Sequence, residues 1–200
     1  MESAKQTHAS LEFFPLTQER WPDFEGLFGP RGAYGGCWCM WWRLTRREFE
    51  AKQGQGNRDA MRSLVEGGEV PGILAYSGGE AVAWCSVSPR EHYGSLERSP
   101  VLKRLDETPV WSIVCFFVKK SHRHQGLIHS LIQAAIAYVR SQGGQVVEAY
   151  PTLPGSDQVP HVSSYMGLPS MFEAAGFVEC ARPSKSKAIM RYYIEESPEP

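Results

Sequence analysis

From Val110 to Val118 the sequence VWSIVCFFV is almost unbroken in its apolar character and rich in β-branched and aromatic residues. That is the pattern of a strand covered on both faces. The next seven residues, Lys119 to Gln125, include no large apolar side chain. Beyond Gly126, Leu127, Ile128, Leu131, Ile132, Ala135, Ile136 and Val139 recur at helical spacing, which predicts a helix to about Gln142. The centre of the chain is therefore a strand, a cationic turn and a long helix.

The same test applied elsewhere predicts a helix capped by Thr17, with Trp21, Phe24, Leu27 and Phe28 on one face, ending at Gly29-Pro30. Two further helices are expected, Thr45 to Lys52 and Asn57 to Glu66, the second capped by Asn57 and stopped by Gly67-Gly68. Gly72 to Tyr76 and Ala81 to Val87 should form a hairpin around Ser77-Gly78-Gly79-Glu80. Ser88 to Pro109, with Pro89, Pro100 and Pro109, is expected to be a long loop with at most one helical turn. Gln145 to Tyr150 should be a short strand, parallel to the Val110 strand through a right-handed crossover. A turn-rich loop from Pro151 to Pro160, a helix from Leu168 to Ala175 and strands Phe177 to Ala181 and Ala188 to Ile194 complete the pattern. The first ten residues and those from Glu195 onward are polar and expected to be frayed tails. The whole, residues 1–200, is expected to be one α/β domain.

Composition narrows the function classes. A net charge of −1 argues against a dedicated nucleic-acid binder, which carries a basic excess or a segregated basic face. No apolar run is long enough to span a bilayer, and MESAKQTHAS lacks the hydrophobic segment of a secretory signal. A cytoplasmic location follows as the expectation, and the odd count of five cysteines suits reduced thiols there. Cys37-Trp38-Cys39 lacks the paired spacing of a zinc site, so no metal is expected.

The cationic turn carries the clearest chemistry. A helix beginning after Gly126 leaves its first N–H groups unpaired within the helix, at the positive end of its dipole, and these attract an anion. Arg123 adds a charge suited to phosphate, and a glycine lets phosphate approach the backbone. An ordinary strand-to-helix connection with solvated basic residues would show the same composition.

Arg123-His124-Gln125-Gly126-Leu127-Ile128, following Phe116-Phe117-Val118 and preceding an amphipathic helix, resembles the acetyl-CoA signature R/Q-x-x-G-x-G/A of the GNAT superfamily of N-acetyltransferases. Ile128 stands where that pattern has glycine or alanine. Phe172-Glu173-Ala174-Ala175-Gly176-Phe177 resembles the family's helix followed by Gly-Phe. The resemblance implies a central twisted mixed β-sheet flanked by helices. It also implies acetyl-CoA as cosubstrate, held by Phe116, Phe117, Val118, Arg123, His124, Gln125, Gly126, Leu127, Ile128 and His129. In such proteins the pantetheine arm runs between two splayed parallel strands, and a backbone N–H there polarises the thioester carbonyl. Val118 is the choice for that donor.

The acceptor implied is an amine on a small molecule or a peptide, in a monomer or homodimer that binds neither nucleic acid nor membrane. Glu148, buried among Val146, Val147 and Ala149, is a candidate general base. It could equally face solvent or fix a substrate cation. The family's leaving-group tyrosine falls here at Phe172, so Tyr165 becomes the candidate acid, with Ser163 and Ser164 behind it. Ala33 to Arg43, AYGGCWCMWWR, could fill a core or line a pocket, and Trp38 and Trp41 are its candidate acceptor contacts. Glu91 and His92, just past the hairpin, are further candidates, with solvated loop residues as the alternative. The competing class is a coenzyme A sensor without turnover.

Overall fold

The structure, a computed structural model, describes residues 10–153 and 165–195. Most of the expected N-terminal tail, the end of the C-terminal tail, most of the Pro151 to Pro160 loop, and Ser163 and Ser164 lie outside the described residues. Seven strands form one mixed sheet in the order β1-β2-β3-β4-β5-β7-β6. They are β1 (Leu11–Pro15), β2 (Gly72–Ser77), β3 (Glu80–Pro89), β4 (Trp111–Val118), β5 (Val146–Ala149), β6 (Val178–Ser184) and β7 (Lys187–Tyr193). The helices are α1 (Trp21–Phe28), α2 (Arg46–Ala51), α3 (Gln55–Glu66), α4 (Gly94–Glu97), α5 (Leu127–Ser141) and α6 (Pro169–Glu173). Strands β4 and β5 are parallel, and every other neighbouring pair is antiparallel.

The sheet buries both faces, so β4 needs apolar residues on each side. Ile113 and Phe116 pack toward α5 with Leu127, Leu131, Ala135 and Val139. Phe117 turns the other way, beneath the cluster of Trp21, Phe24, Phe28, Trp38 and Trp84 built by α1, the loop after it and β3. A third cluster joins Val114 and Tyr150 to Tyr93, Leu96, Leu102 and Ile189. That last group covers the sheet with the segment between β3 and β4.

Three local expectations needed correction. Leu11–Pro15, left without an element by the sequence pattern, is edge strand β1, and Leu11 pairs with Ser77 while Pro15 pairs with Ile73; proline at its end is tolerated because an edge has a free side. Thr17 caps nothing: it precedes a short 3-10 turn and makes no side-chain cap bond, and its buried hydroxyl has no partner among the described residues. Asn57 lies inside α3, which starts two residues earlier, and its amide donates to the carbonyls of Gly36 and Phe49. Thr45, by contrast, does cap α2 through a reciprocal box with Glu48.

The β3–β4 segment is fastened to the sheet by buried charge. Arg90 donates to Glu148 Oε1 (2.8 Å), the Tyr150 hydroxyl (2.8 Å), Glu97 (2.6 Å) and the Leu102 carbonyl (2.6 Å). Arg191, on β7, donates to Glu148 Oε2 (2.7 Å) and pairs with Asp106 (2.7 Å). The Arg191 guanidinium holds the Asp106 carboxyl well below the usual carboxylate range. Removing one member of a buried ion pair leaves the other charged and undersolvated, at a cost of about 3–5 kcal/mol. Arg90→Met is therefore expected to lower the urea-unfolding free energy by about 3 kcal/mol, and Arg90→Met combined with Glu148→Gln to lose less than the two single variants summed. Strict additivity in those unfolding curves would contradict the coupling.

Candidate active site

Strands β4 and β5 run side by side for only three residue pairs, Trp111 with Val147, Ser112 with Glu148 and Ile113 with Ala149. There β5 ends, while β4 continues to Val118. The register between β3 and β4 also shifts at this level, Ser86 facing Cys115 and Val87 facing Ile113, so Val114 is a bulge that bends the strand where the pair separates. The described residues Tyr165–Gly167 bridge the gap: Phe116 N–H donates to the Tyr165 carbonyl (2.7 Å), and Thr152 N–H to that of Gly167 (3.0 Å). Lys119 N–H instead donates across to Val82 on β3 (2.9 Å). By alternation along the strand, the Val118 N–H points to the same side as that of Phe116, into the split.

The turn after β4 is built tightly. Arg123 Nε donates to the Val118 carbonyl (3.1 Å), fastening the turn to the strand end while its guanidinium stays exposed. Gln125 Nε2 donates to the Ser121 carbonyl (3.1 Å). Lys119 pairs with Glu80 across the β3 edge. His124 takes a φ of 62° and Gly126 one of 77°, a left-handed geometry that costs a non-glycine residue roughly 1 kcal/mol. A Cβ on Gly126 would meet no protein atom within 4 Å, so within the protein it is the backbone angle that asks for glycine. Helix α5 then opens with Leu127 and Ile128, whose N–H groups have no acceptor inside the helix, whereas His129 N–H turns back to the Gly126 carbonyl (3.0 Å). Leu127 is buried in the core and Ile128 packs partly against it, while His129 is exposed. The turn thus offers exposed cationic side chains and a helix N-terminus beside the split.

The other expected residues divide. Tyr165 lies at the split, and burial pushes its hydroxyl up to about 12, so it stays protonated as a donor. Phe172 is a core residue against Phe116 and Phe177. Glu148, expected as a base, is 1% exposed, and both of its oxygens are taken by Arg90 and Arg191, with Tyr150 donating as well (2.6 Å). Its carboxylate holds the fold together and presents no open oxygen to an amine. Trp38 is core, 4% exposed and stacked on Phe28 with ring centroids 5.7 Å apart. Trp41 is 42% exposed and meets Phe49 edge-on. Glu91 and His92 follow Pro89, which pairs with Trp111, so they lie at the far end of β4, about 23 Å of strand from Val118. His92 contacts Glu69 instead (3.1 Å).

Sequence reasoning weighed Cys37 and Cys39 only as metal ligands, core or pocket, yet with Cys115 they meet on the α1 side of the split. Cys39 Sγ lies 3.5 Å from Cys115 Sγ and accepts from Trp84 Nε1 (2.9 Å). Cys37, half-buried, is held down to about 7, chiefly by the neighbouring Cys39. Burial pushes Cys39 itself well up. Among the described residues, no group of three or more His, Cys, Asp or Glu side chains is arranged to hold a metal ion, and no helix is long and apolar enough to cross a membrane.

Residues 38–158 match the Acetyltransferase (GNAT) family. The chain belongs to that family, and the mixed seven-stranded sheet with flanking helices is its acyl-CoA N-acyltransferase fold. Comparison with curated proteins gave no sequence match. Solved structures share the fold at low identity. One is a GNAT acetyltransferase from Streptococcus agalactiae, with 12% identity, a TM-score of 0.56, and coverage of 94% of this chain and 98% of that one. Another is the PaiA N-acetyltransferase of Thermoplasma acidophilum in complex with coenzyme A, with 12% identity, 0.52, 92% and 99%. A third is Ard1 from Thermoplasma volcanium, with 13% identity, 0.51, 93% and 99%.

Because a thiol is alkylated as its thiolate, iodoacetamide labelling of Cys37 in the native protein should rise through a midpoint near pH 7, while Cys39 and Cys85, pushed up by burial, stay unlabelled across that range. Peptide mass spectrometry after timed labelling reads this out. A Cys37 midpoint near pH 9 would contradict that influence of Cys39.

Proposed function

We propose that this protein is an N-acetyltransferase that moves the acetyl group of acetyl-CoA to a primary amine, on a small molecule or a peptide, by direct attack in a ternary complex. The observation that carries the reading is the exposed cationic turn at the N-terminus of α5, set beside the point where β4 and β5 part. In this reading Arg123 and the first amides of α5 hold the pyrophosphate, because unpaired N–H groups and a guanidinium both favour phosphate oxygens. His124, Gln125, Gly126 and His129 shape the turn around it, and Phe116, Phe117 and Val118 border the arm. The arm lies along the β4 edge, where the Val118 N–H meets the thioester oxygen. A donor of this kind stabilises the negative charge that develops when the amine attacks, and is worth about 10²–10³ in rate.

Two protons must also move. The attacking amine loses one, and with Glu148 committed to Arg90 and Arg191 that proton goes to solvent water. The departing thiolate takes one from the Tyr165 hydroxyl, which burial keeps protonated. Trp41, exposed at the loop after α1, is the aromatic surface left for the acceptor once Trp38 is counted as core. A second reading has its own support: the Tyr165 carbonyl already occupies the Phe116 N–H, and Phe172 stands in the place of a proton donor. Both features would suit a coenzyme A sensor without turnover.

Release of CoA thiol from acetyl-CoA, followed across a panel of amines, separates the two. The enzyme reading predicts acceptor-dependent release with stoichiometric N-acetyl product. It further predicts that Tyr165→Phe lowers kcat by about 10²-fold with little change in KM, and that Glu148→Gln, corrected for its folded fraction, keeps the wild-type pH profile. Tight acetyl-CoA binding with no amine-dependent release from any of the panel would favour the sensor. A flattened pH profile in Glu148→Gln would restore Glu148 as the base.

A further inference from the structure

The three thiols beside the split are used by no step of the proposed reaction, and their arrangement is specific. Cys37 and Cys39 come from the loop after α1, in a stretch where Ala33, Trp38 and Cys39 all adopt positive φ (62°, 42° and 56°). Cys115 comes from β4, on the face toward that loop. The strained backbone brings Cys39 Sγ within 3.5 Å of Cys115 Sγ, and the Trp84 indole N–H fixes the middle sulfur at 2.9 Å. Non-glycine residues hold left-handed angles only where their surroundings over-determine them. Here the surroundings are Trp38 stacked on Phe28 and Trp84 edge-on to Phe24.

We propose that Cys37, Cys39 and Cys115 form a peroxide-oxidised thiol site whose product is a Cys39–Cys115 disulfide tying the loop after α1 to β4. Cys37 and Cys115 are half-buried and Cys39, between them, is buried; Cys37 meets the oxidant, and Cys39 and Cys115 receive the oxidation. The Cys37 thiolate attacks one oxygen of a hydroperoxide, the O–O bond breaks, and Cys37 becomes a sulfenic acid while the other oxygen leaves as water or an alcohol. The Cys39 thiol then attacks the Cys37 sulfur. An S–S bond forms, and the hydroxyl leaves with the Cys39 proton as water. Finally the Cys115 thiol attacks the Cys39 sulfur, and its proton passes to the Cys37 thiolate that departs. In sum, two thiols and one hydroperoxide give a disulfide and two molecules of water, or one of water and one of alcohol. Cys37 is the thiol best placed to begin, since it is half-buried beside the buried Cys39 and its thiolate is favoured near neutral pH.

The other two cysteines provide internal controls. Cys85 packs in the α5-side core, on the opposite face of the sheet from Cys115, and Cys180 is exposed on edge strand β6. The site is independent of the acyl chemistry, so it stands or falls without the proposed function.

The test uses full-length protein carrying Cys180→Ser, treated with one equivalent of hydrogen peroxide, quenched with an alkylating agent and mapped by non-reducing peptide mass spectrometry. The expected product is a Cys39–Cys115 linkage within one chain, reversed by dithiothreitol, formed at least tenfold more slowly in Cys37→Ser and unaffected in Cys85→Ser. Cys37→Ser leaves both sulfurs of the product in place, so it keeps the test informative if Cys39 or Cys115 variants fold poorly. Conversion of Cys37 to sulfinic or sulfonic acid without any linkage would overturn the proposal. So would an unchanged rate in Cys37→Ser.

Discussion

The short shared edge of β4 and β5 is the constraint on which the rest of the molecule turns. Three residue pairs join the strands, and at that level their separation is fixed by charges that cannot easily leave. Glu148 on β5 faces Arg90 from the β3–β4 segment and Arg191 from β7, so one buried carboxylate links three parts of the chain. Moving either strand would pull an ion from its partner in a setting with almost no water, where such pairs are costly to break. Above the pairs, the Val114 bulge bends β4 away, and Tyr165–Gly167 spans the gap with two backbone hydrogen bonds. A rigid lower half and an opened upper half make the split a fixed feature of the sheet.

The chemistry attributed to the site depends on that opening. A strand paired on both sides has no spare N–H. Once β5 stops, the outward amides of β4 need other acceptors, and Phe116 finds one in Tyr165 while Val118 points the same way. In the turn that follows, Arg123 is fastened to Val118 through Nε, and its guanidinium stays exposed. The Val118 amide and the helix N-terminus are thus two consecutive sources of donors along one short path, without backbone acceptors among the described residues, a geometry suited to a long ligand with phosphates at one end and a carbonyl at the other.

Much of this was legible in the sequence, and what was missed has physical causes. The apolar run Val110 to Val118 and the periodic residues of α5 state their periods plainly, and the hairpin, the parallel β5 and both final strands followed from the same pattern. Strand β1 was missed because five residues at an edge, four half-buried and one exposed, carry too little alternation to identify. The Thr17 and Asn57 caps failed because a capping residue type says nothing about whether the backbone around it begins a helix. Residue type also misdirected the site. Glu148 looked like a base because a lone carboxylate in an apolar strand has no partner in its own neighbourhood of sequence; its partners, Arg90 and Arg191, are 58 and 43 residues away. Likewise Glu91 and His92 were adjacent to a strand end, but to the wrong one. The thiol cluster had one visible signal, two cysteines in an aromatic-rich stretch, and its third member was hidden on β4.

Amide chemical shifts of isotopically labelled protein during titration with acetyl-CoA test the central claim most directly, because the claim concerns particular N–H groups. The account predicts the largest shifts at Val118, Leu127 and Ile128, with those of β6 and α3 nearly still. Saturable shifts centred elsewhere, or none at all, would contradict it.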